Sequence, residues 1–210
     1  MRGRQRATAL LVDLDGVLRR WDPKVTVAVE EKYGLASGTL LQAAMRWERL
    51  LPAIVGAVSD AEWMAGVAEA LAPETGGLAR ARAAVEEWRS YRGEVDPDVS
   101  AFVAEVRAAG LPVGLATNAT DRLDRDLAEL GLVGAVDVVL NSSALGVHKP
   151  AKEYFHRACE ALATPPDRVL LVDDDDRAVR GARVAGLSAY RWSGPDDLPY
   201  LRAVLDLGWR

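Results

Sequence analysis

Apolar and polar positions divide the chain into two textures. Residues 9–14, Ala-Leu-Leu-Val-Asp-Leu, open with a short run apolar on both faces, the pattern of a strand buried in a parallel sheet. From about Pro23 to Trp88 no comparable run recurs and helical periodicity takes over. Ser59-Asp-Ala-Glu62 has the form of a capping box, with Ser59 as N-cap. It opens a helix carrying Trp63, Val67 and Leu71 on one face, which Pro73 helps to stop. A helix from near Thr39 to Leu51 has Leu41, Met45 and Leu51 in its apolar pattern, and another from near Leu78 to Tyr91 carries Leu78, Val85 and Trp88. Trp47, Trp63 and Trp88 are expected in the core of this all-helical unit.

From residue 96 helix and strand alternate. Asp96-Pro-Asp98 begins a helix with Val99, Phe102, Val103 and Val106 at i, i+3, i+4 and i+7, ended by Gly110. Strands follow at 111–117, 135–140 and 168–172, with a last short one at 187–191. Between them lie a helix capped by Thr120 or Asp121, one from Ala151 to Leu162, and one from Arg177 to Ala185. This alternation predicts βαβ units and a parallel, Rossmann-like sheet. The first strand belongs to that sheet by type, so the helical middle is an insertion after strand one. The expected division is an α/β core of residues 1–18 and 93–210 and a helical cap of residues 19–92.

Composition narrows the class. Half of the 210 residues are hydrophobic, which excludes a mainly disordered chain. The net charge of −5 argues against a nucleic-acid partner, which favours a basic face. The single cysteine, Cys159, excludes an internal disulfide framework and a Cys-rich zinc site, and fits a cytoplasmic location. Its helix places it beside Phe155 and Leu162 as a core residue. The basic start, Met1 to Arg6, precedes only Ala9–Val12 before Asp13, too short for a signal or membrane segment, and is expected to be a solvated tail.

Ligands of an open α/β sheet bind beyond the carboxyl ends of its strands. There the sequence places Asp13-Leu-Asp15-Gly16, Thr117-Asn118, a loop leading to His148-Lys149-Pro150, and Asp173-Asp-Asp-Asp176. Each group suits phosphoryl transfer. Asp13 can act as a nucleophile. Asp15, freed to turn by Gly16, can protonate a leaving oxygen and later activate water. The acidic run after strand four offers oxygen ligands for Mg²⁺. The Thr117 hydroxyl and backbone N–H groups near Asn118 can bind phosphoryl oxygens, and Lys149 can balance charge. Lys149 is one of four lysines in an arginine-dominated chain. Blander readings stand beside these. Asp-x-Asp-Gly also describes a turn, and the acidic run can complement a helix dipole, with Asp176 the expected cap.

These motifs, in this order, resemble the haloacid dehalogenase-like (HAD) hydrolase superfamily, in its phosphatase branch with a helical, C1-type cap. The matches are Asp13-Leu-Asp15-Gly16-Val17, Thr117 closing an apolar strand, Gly146-Val-His-Lys149-Pro150 with Tyr154-Phe155, and Val172-Asp173-Asp174 with Val179, Gly181-Ala182 and Ala185-Gly186 downstream. The resemblance spans residues 9–190. It implies Asp13 as nucleophile, Asp15 as general acid/base, Thr117 as phosphate binder and Lys149 as charge-balancing group. It also implies Mg²⁺ held by Asp174, Asp13 and the backbone carbonyl of Asp15. The expected activity is Mg²⁺-dependent hydrolysis of a small phosphorylated metabolite by a monomer or homodimer. A phosphomutase, a haloacid dehalogenase and a non-catalytic phosphometabolite-binding protein are the alternatives. One departure bears on the metal: Ala178 stands where the family often has Asp or Asn. Arg19, Arg20 and Trp21, just after the first motif, are candidates for the site entrance. Six of the 31 acidic residues, Asp13, Asp15 and Asp173 to Asp176, fall in this one site. Without them acids and bases nearly balance.

Overall fold

The computed structural model describes residues 6–207, so most of the basic start, residues 1–5, lies outside the described residues. β1 (Ala9–Val12) is followed by a two-residue strand, β2 (Arg19–Arg20), and then by five helices: α1 (Pro23–Tyr33), α2 (Thr39–Met45), α3 (Trp47–Ile54), α4 (Asp60–Thr75) and α5 (Leu78–Ser90). A second two-residue strand, β3 (Glu94–Val95), pairs antiparallel with β2 where the chain returns. The remainder runs α6 (Pro97–Ala108), β4 (Val113–Thr117), α7 (Leu123–Glu129), β5 (Val138–Asn141), α8 (Ser142–Leu145), α9 (Lys152–Ala161), β6 (Val169–Asp173), α10 (Asp176–Val184), β7 (Ser188–Arg191) and α11 (Leu198–Leu205).

The main sheet has the order β5-β4-β1-β6-β7 with every pairing parallel. β1 sits at its centre, with Leu10 opposite Val113 on one side and Leu170 on the other. The pleat divides its side chains between two cores. Leu10 and Val12 join Phe102, Val106, Leu123 and Leu201 on one face, while Ala9 and Leu11 join Tyr154, Phe155, Val179 and Ala182 on the other. Burial on both faces is why the strand reads as an uninterrupted apolar run. Because the strands are parallel, Asp13, Thr117 and Asp173 emerge from neighbouring strands at the same sheet edge.

The inserted helices bury a core of their own, with Val29, Leu40, Met64, Val67, Leu71 and Val85. The capping box forms as expected: Ser59 Oγ accepts from Glu62 N (3.2 Å), and Glu62 Oε2 accepts from Ser59 N (2.7 Å). Pro73 does not stop this helix. It lies inside α4, which runs to Thr75 and ends at Gly76 in the left-handed region, with the Gly76 N–H returning to the Ala72 carbonyl. Near a helix end Pro forfeits one hydrogen bond, whereas Gly76 makes the turn that closes the helix.

The expected helix from Thr39 to Leu51 is two helices. Arg46 is extended between them (φ −57°, ψ 121°), which turns Leu40 and Ala44 inward and leaves Leu41, Met45 and Trp47 exposed. Trp63 and Trp88 pack against the helical core as expected, but Trp47 rests edge-on against His148, ring centroids 5.5 Å apart. Thr120 and Asp121 do not cap α7 in the usual way. That helix begins at Leu123 without a side-chain cap, and the two residues instead reach Asp60 of α4. Cys159 is buried in the second core, and burial pushes its thiol up to about 11, too high for a nucleophile at neutral pH.

Candidate active site

Lys149 Nζ lies between two carboxylates, 2.9 Å from Asp13 Oδ1 and 2.6 Å from Asp173 Oδ2, with all three side chains buried. Asp13 follows β1 and Asp173 ends β6, so adjacent strands supply the two acids while the loop before α9 supplies the cation. Asn118, just beyond β4, fixes that loop: its Nδ2 donates to the Lys149 carbonyl (3.0 Å) and its Oδ1 accepts from the Lys149 N–H (2.8 Å). The Asn118 side chain is thus spent on holding Lys149. Thr117 is buried at the end of β4 and lines the same cavity, of about 390 Å³, as Asp13, Asp15 and Asp174.

The electrostatics are unbalanced. Burial pushes the Asp13 carboxyl up to about 8; Lys149 opposes this, while Asp173 and Asp15 add to it. Burial alone would lower the Lys149 ammonium, but Asp13 and Asp173 outweigh it and raise it. Asp174 is raised as well, by burial and then by Asp173. Three carboxyl groups therefore share one ammonium, and ionising all three would leave an excess of two negative charges.

This donor set fits a divalent cation. Carboxylate oxygens of Asp13, Asp173 and Asp174 all lie within 4.8 Å of one another. Asp173 is the least available, because its Oδ2 meets Lys149 and its Oδ1 accepts from the Asp175 N–H (2.9 Å). Asp13 and Asp174 remain as the carboxylates that can turn to an ion. Gly16 is required for Asp174 to sit where it does: its φ is 82°, and a Cβ there would overlap the Asp174 carboxylate. Ala178 is buried in the cavity wall and offers no ligand; Asp175 lines the same cavity but is not among the carboxylates gathered within 4.8 Å. Asp175, not Asp176, is the N-cap of α10, accepting from the Arg177 N–H, while Asp176 pairs with Arg180. Gly181 lets α10 lie close to the lysine loop, since a Cβ would come within 2.5 Å of the Pro150 carbonyl oxygen.

The Asp15 carboxylate stands apart from this cluster. Arg19 grips it with Nε on Oδ1 (2.7 Å) and Nη2 on Oδ2 (2.9 Å), and Trp21 Nε1 donates to Oδ1 (2.6 Å). Of the three entrance candidates, Arg19 is therefore buried in the protein, Arg20 pairs with Asp96 (3.3 Å), and Trp21 alone lines the cavity. Sequence reasoning missed Asp126, to which Arg19, Arg92 and Arg122 all bond. Its signal was an acid three residues after Leu123, on the apolar face of α7.

The family model for haloacid dehalogenase-like hydrolases matches residues 7–186. The chain is 36% identical over 144 residues to a phosphoserine phosphatase of Thermus thermophilus, covering 64% of this chain and 58% of that protein. It is 31% identical over 215 aligned residues to phosphatase MT3486 of Mycobacterium tuberculosis, covering 95% and 97% of the two chains. Among solved structures, the HAD family enzyme bt-2542 of Bacteroides thetaiotaomicron, a complex with magnesium and inorganic phosphate, superposes with a TM-score of 0.73 at 20% identity, over 93% of this chain and 98% of that one. At that identity the likeness concerns the fold.

Proposed function

The chain belongs to the haloacid dehalogenase-like hydrolase family, and from that membership and the site's geometry we propose that it is a Mg²⁺-dependent phosphatase of a small phosphorylated metabolite. The observation that carries this reading is the excess of carboxylate charge around Asp13. A nucleophile attacking a phosphate dianion needs a cation to offset their repulsion, whereas the same aspartate attacking carbon in a dehalogenase does not. Two relatives named as phosphatases support the same choice.

Asp13 attacks phosphorus, the bond to the leaving oxygen breaks, and Asp15 gives that oxygen its proton. Asp15, now ionised, takes a proton from water as the water oxygen attacks the phospho-aspartate. The bond between phosphorus and Asp13 then breaks, releasing inorganic phosphate and restoring the carboxylate. Lys149 holds Asp13 in place and lowers the cost of its charge, and Thr117 takes a phosphoryl oxygen. Bound Mg²⁺, held by Asp13, Asp174 and the Asp15 carbonyl, supplies charge neutralisation for the anionic pair. The Ala178 methyl offers no oxygen to support it, so the ion would be held by fewer groups. Residues 19–92 act as a cap, and the single buried thiol is the support for a cytoplasmic location. Among the described residues no helix is long and apolar enough to cross a membrane.

The test is hydrolysis of 4-nitrophenyl phosphate with Mg²⁺ or with EDTA. We expect turnover that EDTA abolishes, and a loss of at least about 10³-fold in Asp13→Asn with the fold intact. Full activity of that variant, with deamidation excluded, would overturn the assignment. Binding of phosphometabolites without turnover would point to a sensor.

A further inference from the structure

We propose that Arg19 is a positioning residue for the acid/base step, holding the Asp15 carboxylate in place together with Trp21, and that Asp126 holds Arg19. The proposal rests on the phosphatase reading, in which Asp15 delivers a proton to one oxygen and removes one from another.

The side chain of Asp15 is 40% exposed and follows the last strand residue by three positions, so packing alone does not fix it. What fixes it is a local loop. The Arg19 N–H donates to the Leu14 carbonyl (2.7 Å) and the Gly16 N–H to the Arg19 carbonyl (2.9 Å), which folds residues 14–19 back so that Arg19 meets Asp15. The resulting contact is bidentate, the geometry in which a guanidinium fixes the plane of a carboxylate as well as its place. Trp21 adds a donor to the same oxygen that takes Arg19 Nε.

Arg19 does not serve the substrate directly. It is 3% exposed, and its Nε and both terminal nitrogens are engaged within the protein, Nη1 with Asp126 Oδ2 (3.2 Å). Asp126 is itself buried and also takes Arg92 and Arg122; burial would raise its carboxyl, but Arg92 and Arg19 hold it below the usual range. Trp21 is held by its neighbours: the Arg19 guanidinium lies 4.6 Å and that of Arg92 5.8 Å from its ring centroid, with Tyr91 edge-on. Arg19 lies on β2 and Arg92 just before β3, the two strands where the chain leaves and re-enters the core. Gly93 makes room there, since a Cβ would come within 2.8 Å of Arg19 Cγ. The clamp on Asp15 is thus built from the two crossing points of the inserted helices and anchored on α7.

A leaving group that departs as a stable anion needs little help from an acid, whereas a poor one needs a correctly aimed proton. This gives a readout that a merely structural role would not move. The substrates are 4-nitrophenyl phosphate and phenyl phosphate, with Mg²⁺; the variants are Arg19→Lys, which keeps the charge but not the fork, Arg19→Met, and Trp21→Phe, which keeps the ring but loses the N–H. For both Arg19 variants we expect kcat/KM to fall at least about 10-fold with phenyl phosphate and less than about 3-fold with 4-nitrophenyl phosphate. With the latter, a burst of about one nitrophenolate per enzyme precedes a slowed steady state, because water activation also needs Asp15. Trp21→Phe is expected to show the same pattern in smaller degree, and it carries the test if the Arg19 variants do not fold. Equal losses with both substrates, or no loss, would overturn the proposal. Wild-type protein that hydrolyses neither substrate would overturn the phosphatase reading itself.

Discussion

Asp13 is the residue at which burial and chemistry conflict. A nucleophile must be ionised, yet without a cation its carboxyl is raised from 3.8 to about 8. A carboxyl raised on folding binds its proton more tightly in the folded state. The stability this brings is complete below the unfolded value and is lost as pH rises through the folded one. In EDTA, Asp13 therefore draws stability down between about pH 4 and pH 8. Asparagine at this position does not titrate. The difference in Tm between Asp13→Asn and wild type in EDTA should grow by several degrees from about pH 5 to pH 8, at roughly 2–4 °C per kcal/mol for a domain of this size. Saturating Mg²⁺ should shrink or reverse it. A difference in EDTA that stays flat with pH would show that burial does not set the Asp13 charge. At this scale the site was largely legible, because Asp13, Thr117, Lys149 and Asp174 each follow a strand or motif readable in one dimension. The partners that fix them were not. The Arg19 clamp looked like an entrance, and Asp126 lies 107 residues from Arg19.

Whether an element was legible depended on how local its causes are. The capping box of α4 was readable to the residue, because both of its hydrogen bonds join positions 59 and 62. The strands β1, β4 and β6 were readable because both of their faces are buried, whereas the partly exposed β5 and β7 were readable from their place in the βα alternation. The break at Arg46 and the two-residue strands β2 and β3 were not, since one backbone angle and two pairs of bridging residues leave no period to detect. α4 packs against α2, α3 and α5, so its N-terminus supports the whole inserted unit. Ser59→Ala should cost about 1 kcal/mol in urea denaturation. The rate with 4-nitrophenyl phosphate should stay within about twofold, because no atom of Ser59 lines the site cavity. An unchanged midpoint would mean that the box adds nothing in this context.

Across the whole molecule, the inserted helices are tied to the core beside the site. Asp60, at the first turn of α4, is one such tie. Its Oδ2 takes Arg89 Nη2 of α5 (2.6 Å), its Oδ1 accepts from Thr120 Oγ1 (3.1 Å), and its N–H donates to Asp121 Oδ1 (2.7 Å). Thr120 and Asp121 belong to the loop that begins with Asn118, the residue that holds Lys149. A carboxylate that is 8% exposed and bonded on both oxygens costs more to remove than a surface charge, because its partners lose their bonds in a desolvated setting. Asp60→Ala should therefore loosen two segments together: hydrogen exchange should quicken over α4 and α5 and over residues 118–123, while β1 and β6 keep their protection. Since the second segment carries Asn118, turnover should fall with it, by several-fold, through a less firmly placed Lys149. Faster exchange confined to the helices would mean that Asp60 organises the inserted unit alone and that the loop holds Lys149 without it.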